Sequence, residues 1–395
     1  MKRKISVISA IIALLLCFTA VFSACGEDVP DTDVESGDGV NDGQSESESA
    51  SESESERESE SESESKTEDG KYSERTVKIP ENLDKIKVYG RHTKNNVQVT
   101  LGWSASGIEF KADCKGDVTV KFISSAAADF AVYIDGVEQP VLSVSTMKWN
   151  YTLNSQPLPE GVHTFRIVKR SNVEKGVSRF EWIKLNGNLL ECDKMDNKLI
   201  EFVGDSITCG SGLFVGREND FDATLAYSYL LANDLGYDWS MVSVSGIGIH
   251  ASNSRHGTNI NQEYLKTNYL ASSTVLYTPA KKADIVVVNL NTNDHNNGAT
   301  EAEYKATVRE FIGKVRSVHG ENVPIVWVRG MMIDANKPVN NWLADVFAEK
   351  GGESAGLYIV TVTKNNDAPY SHPDAEANDI VAGEIKAFLE AKGLV

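Results

Sequence analysis

The stretch LIEFVGDSIT, residues Leu199–Thr208, places an apolar run directly before a Gly-Asp-Ser turn. An apolar run with few polar breaks is typical of a parallel strand that is buried on both faces. Gly and Asp favour turns, so Ser206 is expected just beyond the carboxyl end of this strand. In open α/β sheets, functional residues lie at that edge of the sheet.

Apolar runs alternate with amphipathic segments through the rest of the chain. The predicted strands are Leu199–Val203, Met241–Val244, Ile285–Leu290, Ile325–Val328 and Leu357–Val362. The predicted helices are Thr224–Leu235, Glu301–Val318, Asn341–Glu349 and Ala377–Lys392. This alternation predicts a parallel sheet with helices on both faces. Residues 193–395 are therefore expected to form a three-layer α/β domain.

Residues 71–192 have a different pattern, with short alternating segments and no long helical stretch. The predicted strands are Thr76–Ile79, Ile86–Val88, Val97–Gly102, Ile108–Ala112, Val118–Phe122, Phe130–Ile134, His163–Val168 and Phe180–Leu185. Turn residues separate them, as at Lys115–Asp117 and Asp135–Gly136. Regularly spaced short strands predict a two-sheet, jelly-roll-like β-sandwich.

Residues 1–24 have the pattern of a secretory signal. A basic start, Lys2–Lys4, precedes the apolar run Ile5–Phe22, and small residues lead to Cys25. That arrangement resembles a bacterial lipobox, in which Cys25 would carry the lipid anchor, although Phe22 replaces the usual Leu, Val or Ile. Ordinary signal cleavage and an uncleaved anchor are the alternatives. We expect an extracellular protein, held at the bacterial membrane or secreted.

Residues 25–70 are predicted to be a disordered acidic linker, because Ser45–Ser65 is mostly alternating Ser and Glu. The chain has a net charge of -18, and residues 26–70 contain 18 acidic and two basic residues. Residues 71–395 therefore carry a net charge of only -5. A folded part so close to neutrality lacks the basic surface that nucleic-acid binding requires.

The cysteines and histidines indicate neither a disulfide framework nor a metal site. The cysteines beyond residue 25 are Cys114, Cys192 and Cys209. Buried free thiols are the favoured interpretation, with a Cys114–Cys192 pairing as the alternative. The histidines near the strand ends are His250, His256 and His295. Their spacings match no standard metal site, so we expect neither a metal nor a cofactor.

Four short motifs follow the predicted strands or precede the last helix. They are Gly204–Thr208 (GDSIT), Ser245–Gly248 (SGIG), Asn291–Asp294 (NTND) and Ser371–Asp374 (SHPD). Each motif alone is weak, because Gly, Asp, Asn and Ser are common in loops. Their combination in this order at the same sheet edge predicts one catalytic site.

The residue types in these motifs suit acyl transfer. The hydroxyl of Ser206 becomes a useful nucleophile when a base such as His372 accepts its proton. Attack on an ester creates an oxyanion, which preorganised N–H donors must stabilise. The candidate donors are the backbone N–H groups of Ser206 and Gly246 and the side-chain amide of Asn293.

This set of motifs resembles the SGNH, or GDSL-like, hydrolases. Three further segments extend the resemblance to carbohydrate esterase family 2: VYGR at Val88–Arg91, VSVSGIGI at Val242–Ile249 and IVWVRGMM at Ile325–Met332. Together the similarities cover roughly residues 76–392. The resemblance implies a flavodoxin-like SGNH-hydrolase domain after a β-sandwich, and deacetylation of hemicelluloses such as xylan and mannan, often at 6-O-acetyl groups.

The resemblance also implies roles for individual residues. Ser206 would be the nucleophile and His372 the base, while Ser206, Gly246 and Asn293 would form the oxyanion hole. The sequence departs from the family at Pro369, where most relatives have an Asp three residues before the catalytic His.

Neither Asp367 nor Asp374 has the spacing of that acid, and a solvated loop is favoured for Asp367. We therefore predict a Ser–His dyad whose imidazole is held by a backbone carbonyl. Asn291 also departs from the pattern, because relatives have Gly there. Gly suggests a positive φ or a crowded backbone, and Asn tolerates the first.

The sequence therefore predicts a monomeric serine acetyl esterase that acts on acetylated plant cell-wall polysaccharide. Two alternatives remain open at this point. One is an SGNH esterase for another acyl ester, on a lipid, a thioester or an acetylated cell-wall glycan. The other is a carbohydrate-binding protein that has lost catalysis, which the missing acid and Asn291 would explain.

Overall fold

The computed structural model describes residues 70–193, 195–214, 220–252, 256–269, 271 and 276–395. The predicted signal segment, Cys25 and the linker up to residue 69 lie outside the described residues. Among the residues that are described, no helix has the length and apolar content needed to cross a membrane. The described residues all belong to one compact unit, Ser65–Val395.

The first part of the chain forms the predicted β-sandwich. Its strands are β1 (Glu74–Lys78), β2 (Ile86–Tyr89), β3 (His92–Lys94), β4 (Val99–Leu101), β5 (Gly107–Ser124), β6 (Ala128–Ile134), β7 (Val137–Glu138), β8 (Leu142–Val144), β9 (Asn150–Thr152), β10 (Leu158–Lys169) and β11 (Ser178–Leu190). All of these strands pair antiparallel and surround one apolar core that includes Phe110, Phe122 and Phe165.

The longest strand corrects one prediction. The turn expected at Lys115–Asp117 is absent, and β5 runs without interruption for 18 residues. Gly116 has a φ of 75° and lets the strand bend without leaving the sheet. Since β11 pairs with β5 on both sides of this bend, the strand joins both parts of the sandwich.

The second part of the chain forms the predicted three-layer domain. Its parallel strands are β12 (Leu199–Gly204), β13 (Asp238–Ser243), β14 (Ile285–Asn289), β15 (Ile325–Arg329) and β16 (Leu357–Thr361), in the order β13-β12-β14-β15-β16. The helices are α1 (Tyr227–Leu235), α2 (Ile260–Glu263), α3 (Thr292–Asn296), α4 (Glu301–His319), α5 (Pro338–Glu349) and α6 (Ala375–Ala391). This is the flavodoxin-like strand order.

The helices cover both faces of the sheet because successive strand residues point to opposite sides. Ile200 and Phe202 of β12 pack in the cluster that includes residues of α1 and α6. Val203 packs in the other cluster, with residues of α4 and α5. Helix α1 begins later than predicted, because Ala226 has an extended ψ of 147° and separates it from a short 3-10 turn.

The three cysteines beyond residue 25 follow the favoured prediction. Cys114, Cys192 and Cys209 are all buried and unpaired. Burial raises the pKa of the Cys114 thiol to about 11 and that of the Cys192 thiol to about 12. The Cys114–Cys192 disulfide is therefore not formed, and both thiols stay protonated at neutral pH.

Aromatic contacts join the sandwich to the α/β domain. The ring of Tyr89 at the end of β2 stacks on that of Trp239 in β13, with a centroid distance of 3.8 Å. The next residue, Gly90, donates its N–H to the carbonyl of Trp239 at 3.1 Å. Trp103 Nε1 donates to the carbonyl of Thr267 at 2.8 Å.

A buried charge cluster crosses the same junction. Glu201 lies in the centre of β12 and is fully buried, as is Arg91 from the sandwich. Arg91 donates Nη2 to Glu201 Oε1 at 3.0 Å and Nε to Oε2 at 3.2 Å. Although burial opposes ionisation, the Arg91 charge and a bond from His319 hold the pKa of Glu201 well below its usual range.

Three uncharged side chains also donate hydrogen bonds to the Glu201 carboxylate. Tyr264 donates at 2.8 Å and Ser240 at 3.1 Å. His319 Nδ1 accepts the N–H of Ala283, so the proton is on Nε2, which donates to Glu201 at 3.0 Å. The carboxylate therefore accepts bonds from both domains.

We predict that Arg91→Met lowers the free energy of unfolding by about 3–5 kcal/mol, because it leaves the Glu201 carboxylate buried without its countercharge. Urea denaturation followed by circular dichroism measures the change. Lys392→Met is the matched control: it removes an exposed ion pair with Glu353 and should cost less than about 1 kcal/mol. Equal losses in the two variants would contradict the proposed importance of the buried pair.

Candidate active site

Ser206 and His372 lie in hydrogen-bond contact, although 166 residues separate them in sequence. Ser206 Oγ is 2.8 Å from His372 Nε2, and both residues are largely buried. Ser206 follows β12 by two residues, and His372 follows β16 and precedes α6. The distance suits direct proton transfer from a serine nucleophile to a histidine base.

Glycine is required where the chain leaves β12. A Cβ atom on Gly204 would lie 1.9 Å from Thr208 Oγ1. Moving a single side chain would not readily relieve this clash. Gly204 thus permits the tight turn that directs Ser206 towards the edge of the sheet. The Gly-Asp-Ser motif therefore has a steric basis in this chain.

A backbone carbonyl orients the imidazole of His372. Nδ1 lies 3.0 Å from the carbonyl oxygen of Pro369. Since a carbonyl can only accept, Nδ1 carries the proton and Nε2 is free to receive the proton of Ser206. Tyr370 and Ser371 both have positive φ, 59° and 58°, and this unusual pair folds the chain back so that the carbonyl meets the ring.

Gly212, which no sequence motif marks, makes room for this turn. Its φ is +70°, and an added Cβ would lie 2.9 Å from His372 Cβ and 3.0 Å from the carbonyl oxygen of Pro369. Residue 212 must therefore be glycine both for its backbone conformation and for space. An isolated Gly in a loop gives no such signal in the sequence.

Neither nearby acid contacts His372. Asp367 is exposed and interacts with Asn365, while Asp374 accepts the N–H of Ala377 at 2.8 Å as the N-cap of α6. Burial lowers the pKa of His372, and the bond to the carbonyl of Pro369 offsets this only in part. The neutral base form is thus favoured at lower pH than for an ordinary histidine.

Two backbone donors point to an oxyanion hole. Within the described residues, no acceptor engages the N–H of Ser206 or that of Gly246. Gly246 has a φ of 77°, a conformation that residues with a side chain rarely adopt. Both N–H groups are thus available for a developing negative charge.

Asn293 lies at the same site, but both of its amide hydrogens have acceptors. Nδ2 is 3.1 Å from Asp205 Oδ2 and 2.9 Å from the carbonyl oxygen of Ile247. These two bonds fix the position of the amide nitrogen. To stabilise an oxyanion as well, Asn293 has to share one of these hydrogens with the substrate.

Asp205 is the acceptor behind Asn293 and is fully buried. Burial raises the pKa of Asp205 to about 7, although the N–H of Ile207 opposes the shift. Asp205 does not contact His372 through any hydrogen bond within the described residues. It holds Asn293 and the turn after β12.

Asp294 positions the loop that carries Gly246. Its carboxylate accepts the consecutive N–H groups of Ile249, His250 and Ala251 at 2.8, 2.9 and 2.8 Å. A Cβ on Gly248 would come within 2.7 Å of this carboxylate. Asp294 therefore joins the second motif to the third.

The structure gives a physical reason for Asn291. Its φ of 173° is extended, so the positive φ considered from the sequence is wrong. The side chain is buried, donates from Nδ2 to Asn340 Oδ1 at 2.6 Å and accepts from the hydroxyl of Tyr304. The Asn is thus held between α4 and α5, and its backbone still leads into α3.

The arrangement of nucleophile, base and N–H donors at the end of a parallel sheet defines a serine hydrolase of the SGNH type. Comparison with known families agrees. Residues 202–384 match the GDSL-like lipase/acylhydrolase family, and residues 88–191 match the carbohydrate esterase 2 N-terminal domain. The chain thus combines a GDSL-like lipase/acylhydrolase domain with a carbohydrate esterase 2 N-terminal domain, as the sequence motifs indicated.

Individual relatives show the same architecture. The cellulase/esterase CelE of Acetivibrio thermocellus is 30% identical over 312 residues, which cover 73% of this chain and 37% of that protein. The chain thus spans little more than a third of this relative's length.

Two solved structures cover nearly the whole folded part. A family two carbohydrate esterase from Clostridium thermocellum, in complex with cellohexaose, has a TM-score of 0.72 and 23% identity and covers 78% of this chain and 100% of its own. An acetyl xylan esterase from Butyrivibrio proteoclasticus has a TM-score of 0.70 and 20% identity and covers 82% and 99%.

We predict that the acidic limb of the kcat/KM profile has its midpoint below pH 6.5, because burial lowers the pKa of His372 from 6.5 and the base must be neutral. Hydrolysis of an aryl acetate between pH 4 and 9 measures this limb.

Pro369→Asp places a carboxylate three residues before His372, where the family resemblance implies an acid, and identifies the titrating group. A carboxylate beside the imidazole favours the imidazolium and should move the limb up by about 1–3 pH units. Asp374→Asn is the control and should leave the limb in place, since Asp374 does not contact His372. An unchanged limb in Pro369→Asp would assign the titration to another group, such as Asp205.

Proposed function

We propose that this protein is an esterase that removes acetyl groups from O-acetylated plant cell-wall polysaccharide, such as xylan or mannan, including 6-O-acetyl groups. The observation that carries the proposal is the 2.8 Å contact between Ser206 Oγ and His372 Nε2 beside two unengaged backbone N–H donors. The names of its relatives support the substrate class, since they include an acetyl xylan esterase and a cellulase/esterase.

In the acylation step, Ser206 Oγ attacks the acetyl carbonyl carbon while its proton passes to His372 Nε2. The N–H groups of Ser206 and Gly246, with a shared hydrogen of Asn293, stabilise the oxyanion. The C–O bond to the sugar then breaks, and His372 returns the proton to the sugar oxygen. The acetyl group remains on Ser206.

In the deacylation step, water attacks the acetyl-enzyme and gives its proton to His372. Collapse of the second tetrahedral intermediate releases acetate and returns the proton to Ser206. Among the described residues, no carboxylate is bonded to His372, and the carbonyl of Pro369 would stabilise the imidazolium formed in each step as a dipole. We therefore propose a Ser–His dyad.

We predict that the wild type releases acetate from acetylated xylan or glucomannan and that Ser206→Ala lowers the rate at least about 10³-fold. Acetate release with positional analysis of the remaining acetyl groups measures both the reaction and its preferred position. Ser371→Ala is a matched control, because it changes a neighbouring hydroxyl that is not bonded to His372. Undiminished release by Ser206→Ala would exclude the mechanism.

A panel of aryl esters of increasing chain length separates the proposal from the other esterase functions. An acetyl-specific site should lose activity steeply beyond the acetyl ester, whereas a lipid or thioester hydrolase should retain it. Polysaccharide binding without turnover of any ester would identify a carbohydrate-binding protein instead.

The sequence pattern also supports a cellular location, which we propose as the bacterial surface. We propose that Cys25 carries a lipid anchor and that residues 26–70 tether a monomeric folded part away from the membrane. Cys25→Ala should move the protein from the membrane fraction to the medium or leave it as an unprocessed precursor, and Ser23→Ala should not. Release of the wild type in the same proportion as Cys25→Ala would exclude the anchor.

A further inference from the structure

The outward face of the sandwich presents an aromatic surface far along the chain from the catalytic motifs. Trp149 is 51% exposed, whereas Trp103, Trp239 and Trp327 are buried in the core. Trp149 immediately precedes β9 at the edge of the sheet. An exposed tryptophan does not gain the free energy that burial of a large apolar ring supplies. Trp149 is therefore a candidate for ligand binding.

The strand register places a second tryptophan in the row of Lys121, whose Nζ lies over the Trp149 ring. Across β1, β11, β5 and β9, one row of paired residues is Lys78, Trp182, Lys121 and Asn150. The neighbouring row of paired residues on this face is Thr76, Lys184, Thr119 and Thr152. Between them, the row that includes Ile183, Val120 and Tyr151 points into the core. Trp182 is therefore outward-facing and only partly covered.

Lys121 lies between the two tryptophans. It pairs with Trp182 across the sheet, and its Nζ lies 5.6 Å from the centroid of the Trp149 ring. The strands that contain Trp182 and Asn150, β11 and β9, are therefore two strand spacings apart, about 10 Å. Trp149 directly precedes Asn150. An extended ligand that lies across the strands can contact both indole rings.

Trp149 is held in place rather than carried on a free loop. Its carbonyl accepts the N–H of Phe122 at 2.9 Å, which fixes the backbone to the sheet edge. The hydroxyl of Tyr151 accepts the N–H of Ser145 at 3.0 Å and donates to the carbonyl of Lys148 at 2.6 Å, so the preceding turn is tied down. A preorganised ring binds at lower entropic cost.

The charges of this face favour a neutral ligand. Lys121 pairs with Glu181 at 2.7 Å, Lys184 with Glu74 at 2.8 Å and Lys78 with Glu81 at 2.8 Å. Because each of these three lysines has an acidic partner, they add no excess positive charge to the face. It offers flat apolar rings among hydroxyl, amide and paired charged groups, which suits a sugar with its apolar C–H face and its hydroxyl groups.

We propose that Trp149 and Trp182 form a binding surface for an uncharged polysaccharide chain on the sandwich, separate from the catalytic site. The surface holds the polymer next to the enzyme and raises the local concentration of substrate at the active site. Binding does not depend on acetyl groups, so it can be tested without the esterase reaction.

The test is affinity electrophoresis of the full chain in gels containing soluble, deacetylated glucomannan, xylan or mixed-linkage β-glucan. The wild type should be retarded by at least one of these polymers. Trp149→Ala and Trp182→Ala should weaken the retardation about tenfold in apparent Kd, as loss of an aromatic contact implies. Trp149→Phe keeps a flat ring and should retain most of the binding, and circular dichroism checks the fold of each variant.

Met147→Ala is the matched control, since Met147 is 89% exposed on the same turn but has no flat ring. It should leave retardation unchanged, and aryl acetate hydrolysis should be unchanged in all four variants. No retardation of the wild type, or equal loss in Met147→Ala and Trp149→Ala, would overturn the proposal. Failure of acetate release from acetylated polysaccharide would instead bear only on the proposed esterase function.

Discussion

Five parallel strands end along one edge of the sheet, and this geometric constraint brings the site together. Ser206, Gly246, Asn293 and His372 each follow a different strand, and Ser206 and His372, 166 residues apart, meet within hydrogen-bond distance. The bonds that refine their positions are short connections between neighbouring strand ends. Asp294 fixes the loop of Gly246, and Asp205 fixes the amide of Asn293. The sheet brings the four strand ends together, and the buried carboxylates of Asp205 and Asp294 fix the side chain and the loop that follow them.

Among the described residues, a backbone carbonyl holds His372 in the place where a catalytic triad has a carboxylate. The carbonyl of Pro369 selects the tautomer and direction of His372, which are the two tasks an acid performs before reaction. A carbonyl dipole stabilises the imidazolium less than a full charge does. Tyr370 and Ser371, which both have positive φ, and Gly212 hold the Pro369 carbonyl against the imidazole ring. Backbone strain and close packing therefore orient His372 without an ion pair to a described residue.

The sequence was sufficient to predict the two folds and the four motifs because apolar periodicity and turn residues are local signals. The buried strands of the sheet and the position of Ser206 followed from them, whereas the flavodoxin-like strand order was implied by the family resemblance. The bend in β5 could not be predicted, since Lys115–Asp117 has the composition of a turn and only pairing with β10 and β11 keeps it in a strand. Gly212, the acceptors of Asn293 and the contacts of Asn291 depend on tertiary neighbours and leave no pattern in the sequence.

The link between Arg91 and Glu201 has a consequence for how such a protein can evolve. A carboxylate in the central region of one domain depends on a guanidinium from the other, so neither domain is a self-sufficient module. Recombination that separated them would leave an unpaired buried charge on each side of the cut. We therefore expect the two domains to be inherited together as one unit. Gain or loss of sequence should then be confined to the segments that flank this pair of domains.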